Sequence, residues 1–298
     1  MNEKIAGWLQ NGPLLLDGGI GSQLRLAGLR GGESADLWNL TFPDEVLRIH
    51  TRFVAAGSGV VLTNSFGANR LRLACYGAAD QTVRVNRRAA QIARAAAGRD
   101  ALVFGSIGPS GTGSANGEEA RREWRGAFAE QAQALADAGV DGLVVETMTD
   151  PSELYEAVAA AKTTALPVAA CMTFGTGKES GRTIGGVVPE DAVRVMLDAG
   201  ADIVGANCGA GTRGFLSLCR RFRAACDRPI WMKPSAGLPR RVGDRLFYDA
   251  SAEGFAADAA ELAEAGAAFV GGCCGVTPAF IRELRKLLDR RRDSFCPS

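Results

Sequence analysis

The stretch AGVDGLVVETMTDPSELYEAVAAAKTTALPVAACMTF, residues 138–174, contains one strand–helix–strand unit and the punctuation on either side of it. GLVVET (142–147) is a short, almost wholly apolar run, the composition of a strand buried on both faces of a parallel sheet. PSELYEAVAAAKT opens with Pro and repeats its apolar residues at helical spacing. PVAACMTF (167–174) is then a second buried strand. The leading Ala-Gly pair supplies the left-handed cap that ends one helix and turns the chain into the sheet.

The same unit recurs outward in both directions. LLLDGG (14–19), VVLTNSF (60–66), ALVFGSIG (101–108), DIVGANCG (202–209), PIWMKPSA (229–236) and AFVGGCCG (268–275) are further apolar runs bounded by Gly, Pro or Asp. Between them lie amphipathic segments such as PDEVLRIHTRFVAAG, EEARREWRGAFAEQAQALADAG, PEDAVRVMLDAG and SAEGFAADAAELAEAG. Ala-Gly returns at 56–57, 199–200 and 265–266. Eight alternations in 298 residues, with no Ser/Gly/Pro-rich linker, predict a single-domain α/β protein spanning 1–298, a (β/α)8 TIM barrel. An open, doubly wound sheet is the alternative topology.

Charge and cysteine usage narrow the function. Lys plus Arg number 34 against 33 Asp plus Glu, a net charge of +1, which argues against nucleic acid or a membrane surface as partner. The basic run at 290–292 reads as a solvated helix end. No apolar stretch approaches the roughly 18 residues of a membrane span, and MNEKIAGWLQNGP lacks the pattern of a signal peptide. The expected compartment is therefore cytoplasmic and reducing, so the eight cysteines are read as thiols or metal ligands. With His50 the sole histidine, a metal site would be built from sulfur and carboxylate.

In barrels of this kind the chemistry gathers at the C-terminal strand ends. Those ends carry Asp17, Asn64, Ser106, Glu146, Thr173, Asn207 with Cys208, Lys233, and Cys273 with Cys274. VGGCCGV (270–276) places two thiols side by side, a poor arrangement for a structural disulfide. If Cys208 and the 273–274 pair share one mouth, three thiolates would suit Zn2+ and leave a coordination position open. Such an electron-rich ion activates water poorly but would hold a substrate thiol as a nucleophilic thiolate. Sulfur alkylation fits better than hydrolysis. Small buried hydrophobes are the alternative reading for any of these cysteines, and the one adopted for Cys75, Cys171, Cys219 and Cys226. Cys296 reads as a free tail thiol.

The order DGGIGSQL, LTNSFGANRLRL, GSIGPSG, GLVVETMTD, GRTIGG, GANCGAG, PSAGLP and GGCCGVTP resembles the zinc-dependent homocysteine S-methyltransferases. That family includes the homocysteine-binding module of cobalamin-dependent methionine synthase and the betaine–homocysteine methyltransferases. The resemblance implies transfer of a methyl group to homocysteine, giving methionine, with Cys208, Cys273 and Cys274 as zinc ligands. It further implies that Asp17 and Glu146 bind the amino end of homocysteine, and that the backbone at Gly18 and Gly19 takes its carboxylate. Glu146 is counted with the three cysteines in the catalytic group, and Asn64 and Asn207 with the substrate contacts. DGGIG is not a dinucleotide fingerprint, since its spacing is wrong and no partner acid follows.

The stretches LWNLTFPDEV, GANCGAG and PSAGLPRRVGDRLFYD resemble bacterial betaine-type members of the family, and that resemblance implies glycine betaine or another small onium compound as the methyl donor. Trp38 would offer it a cation–π face, with Tyr76 and Phe66 as further aromatics. Thr147 and Met148 depart from this pattern, because some betaine enzymes carry aromatics there. The alternatives are S-methylmethionine, S-adenosylmethionine, or methylcobalamin on a separate corrinoid protein, with this chain as the homocysteine-activating subunit. A non-catalytic zinc or thiol binder is the remaining class. The chain ends one helix after GGCCGVTP, so a small donor or a separate corrinoid protein is expected. The Gly/Ser-rich segment 108–119 reads as a surface loop, with closure over the donor as the alternative.

Overall fold

A computed structural model describes residues 2–113, 117–175, 181–242 and 245–295. Eight strands form one parallel sheet: β1 (Leu14–Leu15), β2 (Val60–Leu62), β3 (Leu102–Ile107), β4 (Gly142–Met148), β5 (Val168–Met172), β6 (Ile203–Cys208), β7 (Ile230–Pro234) and β8 (Ala267–Val270). Neighbours run β1-β8-β7-β6-β5-β4-β3-β2, so each strand lies beside its predecessor in sequence. A parallel bridge from Leu16 to Val60 joins the two ends and closes the barrel. Closure, with no reversal of strand order, rules out the doubly wound alternative.

Inward-pointing side chains fill the barrel as a packed core. Leu16, Leu62, Phe104, Val144, Cys171, Trp231 and Phe269 are all enclosed there. Trp231 and Phe269 stack with ring centroids 5.1 Å apart, and Phe104 lies 5.5 Å from Trp231. The short helix Glu3–Trp8 also belongs to this core. Its Ile5 is buried in the cluster and its Trp8 meets Phe104 edge-on at 5.6 Å. A second, larger apolar cluster lies between the strands and the surrounding helices.

The helices obey the start and stop chemistry read from the sequence. Pro43–Ala55, Pro151–Lys162 and Pro189–Asp198 each begin on Pro. Gly57, Gly139, Gly200 and Gly266 all take left-handed φ, between 82° and 103°. One element goes beyond that reading, an antiparallel hairpin of Arg240–Val242 and Arg245–Phe247 inserted after β7. No helix among the described residues is long and apolar enough to cross a membrane.

The free cysteines divide differently from expectation. Cys171 and Cys219 are buried and Cys226 is half-buried, but Cys75 is exposed. Cys75 caps the short helix Arg70–Ala74, whose buried contact comes from Leu73, and so turns outward. Cys296 and residues 114–116 of the 108–119 segment lie outside the described residues. The rest of that loop is tied down: Glu153 accepts from the Ser110 N–H at 2.7 Å and the Ser110 hydroxyl at 2.6 Å. Trp124 donates its indole N–H to Thr112 at 2.9 Å.

His50 is enclosed on the helix Pro43–Ala55, and neither ring nitrogen has a hydrogen-bond partner among the described residues. Burial lowers its pKa from 6.5 to about 4. Above 6.5 the ring is neutral in folded and unfolded chains alike, so pH has no effect through it. Between 6.5 and about 4 the unfolded chain takes up the proton first, and stability falls as the pH drops. Replacing His50 with Leu should remove about 2–3 kcal/mol of acid destabilisation between pH 7 and 4.5. Urea unfolding of both proteins at the two pH values measures it; parallel losses would contradict the neutral buried ring.

Candidate metal centre and substrate pocket

β6 ends in Cys208 and β8 runs into Gly271-Gly272-Cys273-Cys274, and neighbouring β7 keeps these two ends close. The three sulfur atoms lie within 4.8 Å of one another. Cys208 itself takes left-handed φ, 65°, and Gly209 follows at 72°. A non-glycine residue in that region is strained, and such strain gathers where a side chain must be aimed. On the other strand Gly275, at φ 80°, lies under the ring of Tyr248, where a Cβ would come within 2.3 Å of the ring. The turn that brings the two adjacent thiols together is thus made at Gly275, and the third thiol is aimed by its own backbone.

Without metal the three thiols titrate as one group. Hydrogen bonds from Cys273 and Cys274 draw the Cys208 thiol down into the thiolate range. Cys273 and Cys274 are pushed up, chiefly by donating to Cys208. The Ser235 hydroxyl donates to Cys208 Sγ at 3.6 Å as well. Sulfurs around a tetrahedral zinc, with Zn–S near 2.3 Å, stand about 3.8 Å apart. The trio is within about 1 Å of that spacing, and an all-thiolate donor set suits a soft or borderline ion. These residues fit zinc.

Beside the sulfurs stands a buried carboxylate. Glu146, near the end of β4, accepts from the Ser106 hydroxyl at 2.6 Å and from Asn207 Nδ2 at 3.1 Å. Burial pushes its pKa up to about 7, helped by Cys273 and Asp17 and opposed by Lys233 and Ser106. Asn207 ties the strand ends together. Its Oδ1 accepts from the Thr147 N–H at 2.7 Å, and its Nδ2 donates to Thr147 Oγ1 at 2.7 Å. Thr173 Oγ1 donates to the Asn207 carbonyl at 3.1 Å. Thr147 also has left-handed φ, 63°, so β4 and β6 both end in a forced turn at the site.

Asp17 follows β1. It is fully enclosed: Oδ2 accepts from the Leu62 N–H at 2.8 Å, and Oδ1 lies 3.1 Å from the ammonium of Lys233. Burial raises Asp17, while Lys233 and the Leu62 amide pull it back. Burial alone would lower Lys233, but Asp17, Cys273 and Glu146 together outweigh that and hold it up, so the ammonium is kept. Asp17 is thus paired with a buried cation, and its Oδ1 has no hydrogen-bond partner among the described residues. Lys233 was legible as a strand-end residue, but its reach to Asp17 is a long-range pairing that spacing alone does not reveal.

The remaining expectations sort by geometry. The Gly19 N–H is taken by the Val276 carbonyl at 3.0 Å, and a Cβ at Gly18 or Gly19 would strike the carbonyl of Val276 or Cys273. The helix Ile20–Leu26 begins there with no side-chain cap, leaving the amides of Ile20 and Gly21 without intrahelical acceptors. Asn64 spends its Nδ2 on the Ala35 carbonyl at 2.8 Å and accepts at its own carbonyl from Asn39 at 2.6 Å, clasping the first loop to β2. Trp38 is buried in the helix layer against Phe42, with centroids 4.7 Å apart, and works as a packed anchor. Tyr76 is exposed, and the Phe66 ring packs over Gly108. Tyr248, which the sequence reading did not single out, is an aromatic ring near the sulfurs; the tight Gly275 turn is the signal that marks it.

The homocysteine S-methyltransferase family profile matches residues 14–288. Methionine synthase of Mycobacterium leprae (strain TN) is 32% identical over 306 residues, covering 94% of this chain and 25% of that protein. Its counterpart in Mycobacterium tuberculosis (strain ATCC 25618 / H37Rv) is 32% identical over 290 residues, covering 90% and 24%. The chain thus spans about a quarter of these relatives. The metallated form of the homocysteine methyltransferase MmuM from Escherichia coli shares the fold, with a TM-score of 0.76 at 23% identity over 92% of this chain and 96% of that one. The chain belongs to the homocysteine S-methyltransferase family.

Proposed function

We propose that this barrel transfers a methyl group to the thiol of homocysteine, with zinc at Cys208, Cys273 and Cys274 and a small onium compound such as glycine betaine as donor. The observation that carries the reading is the convergence of three sulfurs on one point beside a buried, hydrogen-bonded carboxylate. Zinc held by these thiolates would favour the deprotonated form of an incoming thiol and hold it in place.

The chain's own residues supply the rest. Glu146, fixed by Ser106 and Asn207, would meet the substrate ammonium. Its raised pKa means that a bound cation would also draw out its proton. The backbone amides after Asp17, at Ile20 and Gly21, would take the substrate carboxylate. Tyr248 is the aromatic available to an onium group near the sulfurs. In the reaction a new S–CH3 bond forms as the CH3–N bond breaks. The bonding pair stays on the donor nitrogen, giving a neutral amine, and the thiol proton leaves to solvent. Holding the two reactants in line accounts for most of the remaining acceleration.

A second reading has its own support: the two mycobacterial relatives described above are named methionine synthase, and the chain spans about a quarter of each. It would then be the homocysteine-activating part of a methyl-corrinoid system. Labelled-methyl transfer to homocysteine from glycine betaine, dimethylsulfoniopropionate, S-methylmethionine and methylcobalamin separates the two. Transfer from an onium donor is expected; transfer from methylcobalamin alone would favour the second reading, and no methylation from any donor would defeat both. Changing Glu146 to Gln should raise the KM for homocysteine about 10- to 100-fold, the worth of a charge-assisted contact, and leave zinc content unchanged. An unaltered KM would remove Glu146 from ammonium recognition.

A further inference from the structure

A buried cation also braces the turn that carries Cys273. Lys233, 2% exposed, reaches past β8 to the turn after β1. Its ammonium pairs with Asp17 at 3.1 Å, donates to the Gly18 carbonyl at 3.1 Å, and donates to the Gly272 carbonyl. The Gly272 carbonyl belongs to the peptide leading into Cys273. The other edge of that peptide, the Cys273 N–H, donates to the Pro234 carbonyl at 2.8 Å. Consecutive residues of β7 therefore grip the Gly272–Cys273 peptide at both its carbonyl and its amide. The preceding amide, Gly272 N–H, is held by the Asp17 carbonyl at 3.0 Å.

We propose that Lys233 is a positioning residue for the metal, its ammonium locking the Gly272–Cys273 peptide in the orientation that aims Cys273 at Cys208 and Cys274. Ligand-orienting contacts outside the coordination sphere are worth about 10- to 100-fold in metal affinity. A buried ammonium is a costly way to brace a turn unless its charge is paired, and Asp17 pairs it. This assignment explains why Asp17 is enclosed. It anchors the lysine. The inference rests on zinc binding at the sulfur trio.

The test uses a double variant, Lys233→Met with Asp17→Asn, which removes both charges together and strands neither. Zinc affinity is measured by competition with a chelator, alongside the melting temperature and the thiolate-to-metal charge-transfer band of the cobalt(II)-loaded protein. A melting temperature near that of the wild type, with zinc Kd raised about 10-fold or more and a weaker cobalt band, is expected. Wild-type Kd and an unchanged band would overturn the assignment and leave zinc binding intact. Should the double variant not fold, Asp17→Asn alone keeps the side-chain shape and the lysine but loosens its anchor. A raised zinc Kd is then expected, and an unchanged one overturns the proposal. Failure of the wild type to bind zinc would instead defeat the zinc reading itself.

Discussion

Cys208→Ala is expected to give a folded protein that retains no zinc through purification and loses at least about 10³-fold in methyl transfer. The substitution falls at the end of β6, where Cys208 is half-buried, so it opens no deep cavity. Its consequence is chemical. Two thiolates remain of three, and the group that carries the negative charge of the metal-free cluster is gone. Without metal a free thiol of pKa near 8.5 is about 3% ionised at neutral pH, and nothing orients it towards the donor. The loss combines a smaller thiolate fraction with lost positioning. Metal analysis and initial rates on the same preparation decide the matter. Wild-type activity in a metal-free Cys208→Ala protein would end the proposal.

The second large effect is expected in the barrel wall. Gly205 faces β7 so closely that an added Cβ would come within 2.0 Å of the Trp231 carbonyl oxygen and 2.7 Å of the Trp231 Cβ. The obstacle at 2.0 Å is backbone, so no rotamer change relieves it. Gly205→Ala should force β6 away from β7, at a cost of about 3 kcal/mol or more, beyond ordinary overpacking. The displacement runs directly to the site, because β6 carries Asn207 and Cys208 and β7 carries Lys233. Lower urea resistance and weaker zinc retention should therefore appear together. Stability within about 0.5 kcal/mol of the wild type, the range of a neutral substitution, would contradict the close approach.

The repeating unit was legible because a parallel barrel writes itself locally. Strands buried on both faces must be apolar throughout, as GLVVET is, and each helix must be stopped before the next strand, as Gly139 and Gly200 stop theirs. The sulfur trio was legible for a related reason, since strand ends converge once the barrel is granted. What stayed hidden depends on distance in the chain or on backbone conformation. Lys233 and Asp17 meet across 216 residues, and only the closed wall puts them face to face. The left-handed turns at Thr147 and Cys208 occur in residues that do not advertise them. Trp38 has the chemistry of a cation–π partner, but the helix layer claims its ring; Tyr248 sits in the inserted segment after β7, whose course no periodicity marks.

Zinc K-edge absorption on the reduced, purified protein, with and without homocysteine, tests the central claim most directly. The account predicts one zinc per chain with three sulfur neighbours near 2.3 Å and one lighter atom, the lighter atom giving way to a fourth sulfur when homocysteine is added. A coordination shell made mainly of nitrogen or oxygen, or a protein that takes up no zinc, would contradict it.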